Sequence, residues 1–158
     1  MIRLAAEIER LQAEDVRGLR AIPGAADALL ALREERVAVV TSATRPLAAA
    51  RLAAVGIEPP AVMVNAEDVS RGKPDPEGYL AAARRLGVDP AEAVVVEDAP
   101  PGVEAGRAAG AAVVGVTSTH AAEELSAADV VIPTLESLPE VLVSSFDAAD
   151  VLRANDGR

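Results

Sequence analysis

Short, uninterrupted apolar runs alternate along this sequence with longer stretches in which apolar and polar residues follow a helical period. The apolar runs occupy residues 37–40, 61–64, 93–96 and 112–116, with a shorter fifth run at 130–132. The helical patterns occupy residues 2–17, 25–36, 45–55, 76–86 and 102–109. Apolar runs of this length are typical of strands that are buried on both faces of a parallel sheet.

Buried strands that alternate with helices predict right-handed crossovers, and therefore an α/β fold with a doubly wound parallel sheet. Two of the predicted helices are followed by Gly87 and Gly110, the residue type that favours the left-handed conformation at a helix C-terminus. A chain of 158 residues is long enough for one domain with a core. We therefore expect a helical segment at 1–20, a core domain at 21–143 and a frayed, polar tail at 144–158.

Composition and charge restrict the partners of the protein and its location. A net charge of −10 disfavours binding to nucleic acid or to an anionic membrane surface, because both would repel the chain. The sequence has no cysteine, no apolar stretch of membrane-spanning length and no signal-peptide pattern in its first residues, so we expect a cytoplasmic protein. Only one of its 15 basic residues is a lysine, Lys73, which makes that residue a candidate for a specific role.

Polar residues that follow the apolar runs form a second pattern. In open parallel sheets, ligands bind beyond the carboxyl ends of the strands, so these residues are expected to share one edge of the sheet. They are Thr41, Ser42 and Arg45 after the first run, Asn65 and Lys73 after the second, Glu97 and Asp98 after the third, and residues 117–120 after the fourth. Hydroxyls, one ammonium and two carboxylates together fit the transfer of a phosphoryl group.

Each chemical group in this set has a part in that transfer. The hydroxyls and Lys73 can hold phosphate oxygens, and paired carboxylates can hold Mg²⁺, which prefers hard oxygen ligands. Because the adjacent carboxylates of Glu97 and Asp98 would repel each other without a cation, the pair favours a metal. The metal and the lysine would offset charge that otherwise repels a nucleophile. We expect a small phosphorylated metabolite as the ligand, and we interpret His120 as peripheral.

Simpler structural roles are open for several of these residues. Thr41 and Ser42 could cap the helix that follows them. Lys73 could be an ordinary solvated surface charge. Asp75 stands directly before Pro76, and we interpret it mainly as a helix N-cap followed by proline at the first helical position.

Three segments resemble motifs of the haloacid dehalogenase superfamily, in the family's order and spacing. They are Val-Val-Thr-Ser-Ala at 39–43, Arg-Gly-Lys-Pro-Asp-Pro at 71–76 and Val-Val-Val-Glu-Asp-Ala-Pro-Pro-Gly at 94–102. The resemblance covers about residues 18–138 and is closest to the branch that contains β-phosphoglucomutase and small sugar-phosphate and glycerol-phosphate phosphatases. Three motifs in register are far more specific than one. The resemblance implies a Mg²⁺-dependent phosphomonoester hydrolase that acts on a small sugar or polyol phosphate.

The resemblance also implies roles for individual residues. Thr41, with Ser42 beside it, would hydrogen-bond the transferring phosphoryl group. Lys73 would bridge that group and the nucleophile. Asp98 would ligate Mg²⁺, and Glu97 would assist it.

Two further expectations rest on the same resemblance. Arg45 and Asn65 are secondary candidates for contacts with the substrate. The helix at 2–17 resembles the last helix of the mobile cap domain that selects the substrate in this branch, so residues 1–20 are interpreted as a remnant of that cap.

The family's first motif has no clear counterpart in the sequence. The family opens with an apolar strand that ends in Asp-x-Asp, whose first aspartate forms an aspartyl-phosphate and whose second acts as acid and base. No such strand precedes Ile22, and Asp15 lies on a charged helical segment. Asp147 and Asp150 echo the motif only faintly, because two residues separate them. We therefore expect a truncated chain that is inactive alone, with a permuted nucleophile at Asp147 as the weaker alternative.

The same gap has a structural consequence. In the family, the missing strand lies between the strands that end at Thr41 and Glu97. Without it, the two strand edges would pair with each other, take up a foreign strand or stay open. Two other hypotheses therefore stand beside the hydrolase. One is a non-catalytic module that binds phosphate ligands or a partner protein, and the other is a sheet completed by a separate chain.

Overall fold

A computed structural model describes Glu7, Leu11 and residues 13–32 and 36–145 of the chain. Five strands are present in this part: β1 (Ala38–Val40), β2 (Val62–Val64), β3 (Val94–Glu97), β4 (Ala112–Val116) and β5 (Val130–Ile132). Five α-helices accompany them: α1 (Ala25–Ala31), α2 (Arg45–Ala54), α3 (Glu77–Leu86), α4 (Pro100–Ala108) and α5 (Leu138–Ser145). None of these helices is long and apolar enough to cross a membrane.

The predicted strands all form, each within one residue of its expected bounds. The helix expected at 25–36 is shorter, because α1 ends at Ala31 with Leu32 as its C-cap, and residues 33–35 lie outside the described part. Helix α5 is not predicted by the sequence pattern. The helix expected at 2–17 lies mostly outside the described residues; Glu7, Leu11, Ala13 and Glu14 are helical, but residues 15–17 are not, so the expected end of this helix is wrong. The tail expected at 144–158 also lies outside them, except that residues 144 and 145 are the end of α5.

The strands form two separate parallel sheets, β1–β2 and β3–β4–β5, in the part of the chain that the structure describes. Ala38 pairs with Val62 in the first sheet, and Val94 pairs with Ala112 in the second. All strand pairs are parallel, as predicted for a doubly wound α/β fold. The edges of β1 and β3 do not pair with each other. The first of the three outcomes considered above, in which these two strands pair directly, is therefore excluded.

Helices α3 and α4 form one layer against the two sheets. Helix α3 packs against β1 and β2, helix α4 packs against β3 and β4, and the two helices contact each other. On the other face, α1 approaches the short 3-10 turn at Leu135–Ser137, which leads directly into α5. The helix layer is therefore continuous across the point where the sheet is divided.

Burial differs between the strands. Four of the five residues of β4 are buried, which confirms the expectation of a strand covered on both faces. That expectation is wrong for β1, whose three residues are all only half-buried. Val96 in β3 is 37% exposed although its neighbour Val95 is 7% exposed. Both strands have a paired strand on one side only in the described part of the chain, so no neighbouring strand covers their free edges.

The glycines after two helices have the predicted role. Gly87 is the C-cap of α3 with φ of 69°, and Gly110 follows the C-cap of α4 with φ of 88°. A left-handed residue at these positions lets backbone N–H groups turn back to the last carbonyls of the helix. Each helix thus stops where the chain must turn toward the next strand.

Candidate functional site

The carboxyl ends of β1 and β2 border a cleft of about 230 Å³. Thr41 and Ser42 follow β1, Asn65 follows β2, and Lys73 comes from the loop before α3; all four line the cleft. The sequence therefore identified four residues that the fold brings together. Glu97 and Asp98 are not among the lining residues.

Lys73 connects the ends of β1 and β3. Its Nζ donates a hydrogen bond of 3.2 Å to the carbonyl oxygen of Val40, the last residue of β1. The same ammonium forms an ion pair with Glu97, the last residue of β3. The Lys73 side chain is only 19% exposed, so the interpretation as a solvated surface charge is wrong.

Tyr79, the one tyrosine in the sequence, is a second hydrogen-bond donor to the buried Glu97. Its hydroxyl donates to the same Oε1 that accepts from Lys73, and its ring lies 5.2 Å from Lys73 Nζ, within cation–π range. Burial, and then the negative charge of Glu97, raise the pKa of Tyr79 far above its usual range. The phenol therefore stays protonated and remains a hydrogen-bond donor to Glu97.

Gly102 gives the Glu97 side chain its space. A Cβ atom at Gly102 would overlap the carboxyl group of Glu97, whose side chain is 8% exposed. Because residue 102 is glycine, the first turn of α4 can lie against the end of β3 while the Glu97 carboxyl group keeps its contacts with Lys73 and Tyr79. Neither Tyr79 nor Gly102 was assigned a role from the sequence. Tyr79 follows Lys73 by six residues, and Gly102 is the last residue of the matching segment at 94–102.

Asp98 belongs to a different group of contacts. Its Oδ2 accepts hydrogen bonds from Ser118 Oγ at 3.2 Å and Thr119 Oγ1 at 2.9 Å. His120 Nδ1 lies 2.9 Å from the backbone oxygen of Asp98, so the histidine interpreted as peripheral contacts this group. Asp98 and the loop after β4 thus form a second polar cluster beside the first.

These contacts decide how well the acidic pair fits a magnesium ion. Glu97 Oε1 already accepts from an ammonium and a phenol, so only Asp98 offers a carboxylate that faces neutral hydroxyls. Mg²⁺ in proteins can be held by one or two carboxylates, water and a substrate phosphate, so Asp98 fits such a site. Within residues 13–32 and 36–145 no group of three or more His, Cys, Asp or Glu side chains could hold a metal. The metal-ligand roles of Asp98 and Glu97 remain predictions.

Thr41 and Ser42, at the end of β1, do not cap the helix that follows them. Thr41 Oγ1 accepts a hydrogen bond of 3.1 Å from the backbone N of Ala43, which is a local turn contact. The start of α2 is instead capped by Glu67, whose carboxylate accepts from the backbone N of Arg45 at 3.0 and 3.1 Å. The alternative in which Thr41 and Ser42 cap the following helix is therefore wrong.

Arg45 and Asn65, the secondary candidates for substrate contacts, both contact Asp68. The Arg45 guanidinium lies 3.2 Å from the Asp68 carboxylate, and the side chain is 62% exposed. Asn65 is 1% exposed and its backbone N donates to Asp68 Oδ2 at 2.8 Å. Asn65 Oδ1 is buried and has no hydrogen-bond partner among the described residues. Their roles toward a substrate remain predictions.

Asp75 makes a capping contact at the start of α3, but the N-cap position is Pro76, so the expectation of Asp75 as N-cap with proline as the first helical residue is only partly met. Its Oδ1 accepts a hydrogen bond of 3.0 Å from the backbone N of Glu77, the first residue of α3. The helix begins one residue later than the sequence pattern predicts. The weaker alternative, a permuted nucleophile at Asp147, lies outside the described residues.

Asp68 should make the stability of the fold sensitive to acid. The hydrogen bond from Asn65 N, followed by the contact with Arg85, lowers the pKa of Asp68 from 3.8 to about 2. Because the folded pKa is the lower one, this stabilisation is present above about pH 4 and is lost as the pH falls toward 2. We expect Asp68→Asn to have a clearly lower free energy of unfolding in urea than the unmodified chain at pH 6, and a smaller difference at pH 3. An equal loss at both pH values would contradict this assignment.

Comparison with known proteins agrees with this geometry. The family profile described as haloacid dehalogenase-like hydrolase matches residues 3–110. Hexitol phosphatase A of Escherichia coli (strain K12) is 42% identical over 147 residues, which cover 92% of this chain and 67% of that protein. Glycerol-1-phosphate phosphohydrolase 2 of Saccharomyces cerevisiae is 39% identical and covers 74% of this chain and 52% of its own length. A solved structure, CbbY from Rhodobacter sphaeroides in complex with xylulose-(1,5)bisphosphate, has 29% identity and a TM-score of 0.75 over 85% of this chain and 63% of that one.

A parallel α/β core with a lysine in a cleft at the carboxyl ends of its strands is typical of proteins that bind ligands at that edge of the sheet. The chain belongs to the haloacid dehalogenase-like hydrolases, which confirms the resemblance of its three motifs. It spans about two thirds of the length of the hexitol phosphatase and about half of the glycerol-phosphate phosphohydrolase.

Proposed function

We propose that this chain carries the phosphate-binding part of a Mg²⁺-dependent phosphomonoester hydrolase that acts on small sugar or polyol phosphates. The single observation that carries the proposal is the position of Lys73. Its ammonium is fixed by Val40 and Glu97 at the wall of a cleft that also contains Thr41 and Ser42. The relatives named above are phosphatases of a hexitol and of glycerol 1-phosphate by name, which supports the substrate class.

The residues of the cleft are suited to a phosphate dianion. Thr41 and Ser42 offer hydroxyl donors, and Lys73 offers a compact positive charge that can approach the phosphate oxygens. Ion pairing with Glu97 holds the lysine stem in place, so little side-chain freedom is lost when phosphate binds. Arg45 does not line the cleft, and its exposed side chain pairs with Asp68; in this proposal it would contact the distal part of the substrate.

In this proposal Asp98 holds Mg²⁺ together with water and a phosphate oxygen. The ion, when bound, would neutralise the charge of the phosphoryl group. Lys73 and Tyr79 both donate to Glu97 Oε1, so the part proposed for Glu97 is to keep Lys73 in position. We also propose that residues 1–20 belong to a substrate-selecting cap, residues 21–143 to the core and residues 144–158 to a tail, in a cytoplasmic protein.

A second candidate function is binding of phosphate ligands without turnover. The observation that favours it is the absence of any Asp-x-Asp from the 158 residues. The same Thr41, Lys73 and Asp98 would bind a ligand without a nucleophile to attack it. Under this alternative the chain is a non-catalytic relative of the phosphatases.

Calorimetry can test the phosphate site directly. We expect glycerol 1-phosphate and a hexitol phosphate to bind in the presence of Mg²⁺, and Thr41→Val to weaken that binding about tenfold, because one hydrogen bond to a charged group is lost. Arg51→Ala, which changes an exposed arginine on α2 outside the cleft, should bind as the unmodified chain does. Asp98→Asn should remove the dependence on Mg²⁺, and Glu104→Gln, on the exposed side of α4, should keep it.

Turnover of p-nitrophenyl phosphate separates the two functions. Binding without turnover supports the phosphate site and favours the non-catalytic alternative for this chain. Turnover that Asp147→Ala abolishes would instead establish a permuted nucleophile in the tail. If neither phosphate ester binds and Mg²⁺ has no effect, the proposal is wrong.

A further inference from the structure

We propose that Arg71 and Asp75, on the loop before α3, form a hydroxyl subsite that binds hydroxyl groups of the substrate. Both residues line the cleft beside Lys73. The inference rests on the proposed phosphate site, because it concerns the part of the substrate that lies next to the phosphate. It assigns a share of substrate selection to the core domain, in addition to the cap.

The loop that carries Arg71 is fixed by its own hydrogen bonds. The Glu77 carboxylate accepts hydrogen bonds from the backbone N of Ser70 at 2.9 Å and of Arg71 at 3.0 Å. Asp75 N donates to the backbone oxygen of Gly72 at 3.1 Å, and Asp75 Oδ1 accepts from Glu77 N at 3.0 Å. These contacts join the two ends of the loop, so little backbone freedom is lost when a ligand binds to it.

The guanidinium of Arg71 is held through its Nε and has donors to spare. Its Nε lies 3.1 Å from Asp75 Oδ2 and 3.7 Å from Glu77 Oε2. Neither of its terminal nitrogens donates a hydrogen bond to any of the described residues, and the side chain is 73% exposed. An arginine whose Nε faces a carboxylate still has the N–H groups of both terminal nitrogens, which lie in one plane. Arg71 therefore offers oriented donors to a ligand in the cleft.

The charges around Arg71 favour a neutral ligand group over a second anion. One guanidinium stands beside two carboxylates, those of Asp75 and Glu77, so the local charge is negative. The hydrogen bond from Ser70 N lowers the pKa of Glu77, which keeps this carboxylate ionised at neutral pH. A carboxylate or a second phosphate on the substrate would therefore be repelled at this place.

Hydroxyl groups match the donors and acceptors of this pair. A hydroxyl can accept a hydrogen bond from an arginine N–H and donate one to a carboxylate oxygen at the same time. Asp75 is suited to the second contact, because its side chain is 23% exposed at the cleft and its oxygens have several acceptor positions. Hydrogen bonds to charged partners are stronger than those between neutral groups. The hydroxyls of a polyol therefore fit this pair, whereas an apolar ester group would gain nothing from it.

Arg71 lies close enough to Lys73 for both to contact one small substrate. Two peptide units join their Cα atoms, which limits the distance between these atoms to about 7 Å. Both residues line the same cleft of about 230 Å³. A phosphate group held at Lys73 would thus place the carbons beside its ester oxygen near the loop. The hydroxyls on those carbons are the ones that Arg71 and Asp75 would bind.

A matched pair of ligands tests the hydroxyl subsite. Glycerol 1-phosphate and n-propyl phosphate share the phosphate ester and the three-carbon chain, but n-propyl phosphate has no hydroxyls. Calorimetry in the presence of Mg²⁺ should show that glycerol 1-phosphate binds at least about tenfold more tightly, because its hydroxyls bond to charged groups. In Arg71→Met this preference should fall below about threefold, since the oriented donors are gone. Arg84→Met, which changes an exposed arginine of α3 outside the cleft, should retain the preference.

The charge of the subsite is tested with 3-phosphoglycerate, in which a carboxylate replaces the terminal hydroxymethyl group of glycerol 1-phosphate. We expect the unmodified chain to bind it at least about tenfold more weakly than glycerol 1-phosphate, because Asp75 and Glu77 repel the carboxylate. Asp75→Asn removes one of these charges but keeps an oxygen that can accept from Glu77 N. The difference between the two ligands should therefore shrink about threefold or more in Asp75→Asn.

Three results would overturn the inference. The first is equal binding of glycerol 1-phosphate and n-propyl phosphate by the unmodified chain. The second is tighter binding of 3-phosphoglycerate, which would identify an anion site. The third is a preference for glycerol 1-phosphate that survives Arg71→Met. If that variant does not fold, the comparison of ligands on the unmodified chain still decides the question.

The phosphate site and the hydroxyl subsite fail in different ways. Each of the three results above requires that a phosphate ester binds, so it overturns the subsite and leaves the phosphate site intact. Absence of binding by all three ligands would instead contradict the phosphate site, and the subsite with it.

Discussion

The Lys73→Met variant is expected to lose about 4 kcal/mol in its free energy of unfolding, measured by urea denaturation at pH 7. Methionine retains the apolar stem of the side chain but removes the ammonium. Glu97, of which only 9% is exposed, would lose its cationic partner and retain Tyr79 as its remaining donor. Removal of one partner from such a buried pair is costly because the other charge stays in a place that water reaches poorly.

Two controls make this expectation specific. Arg71→Met removes an arginine that pairs with Asp75 at 3.1 Å but is 73% exposed, and should cost less than about 1 kcal/mol. The double variant Lys73→Met with Glu97→Gln should recover at least half of the loss, because the unpaired charge is gone. A double variant as unstable as Lys73→Met alone would contradict the pairing.

The Gly102→Ala variant is expected to lose about 3 kcal/mol, which is the second largest effect. The added methyl group would overlap the Glu97 carboxyl group, and the side chain of Glu97 would have to move away from Lys73 and Tyr79. The cost combines overpacking with weaker hydrogen bonds to a charged group. Urea denaturation measures the loss, and the tyrosine fluorescence of Tyr79 should change because its hydroxyl loses its acceptor.

The matched control for this variant is Gly72→Ala. A Cβ atom at Gly72 would meet nothing within 4 Å, and Gly72 is not among the glycines with positive φ. Its stability should change by less than about 0.5 kcal/mol. If the two alanine variants lose equal stability, the loss does not come from contact with Glu97.

The local elements were largely predictable because they depend on short-range patterns. Apolar runs of three to five residues between polar segments identified all five strands, and glycine after α3 and α4 identified where those helices end. The helix α5 was missed because its apolar residues follow a proline and precede a polar tail. Its packing partners, such as Ala28 and Val114, are distant in the sequence.

The residues of the candidate site were also predictable, but their contacts were not. The polar residues after each run do gather at one edge, because parallel strands bring their carboxyl ends together. The sequence favoured a metal beside Glu97 because two adjacent carboxylates need a cation. In the structure the Lys73 ammonium pairs with Glu97, and Asp98 turns to Ser118 and Thr119. Successive residues at a strand end point to opposite sides, so adjacency in sequence does not give a shared ligand.

The sequence by itself determined the strands, the helices between them, the family and the set of polar residues at the sheet edge. Short-range periodicity and motif spacing are properties of the chain alone, so they can be read without coordinates. Only the tertiary structure decided that Tyr79 and Gly102 fix Glu97, that Glu67 rather than Thr41 caps α2, and that the sheet is divided between β1 and β3. These features depend on contacts between residues that are distant along the chain, and packing in three dimensions selects them.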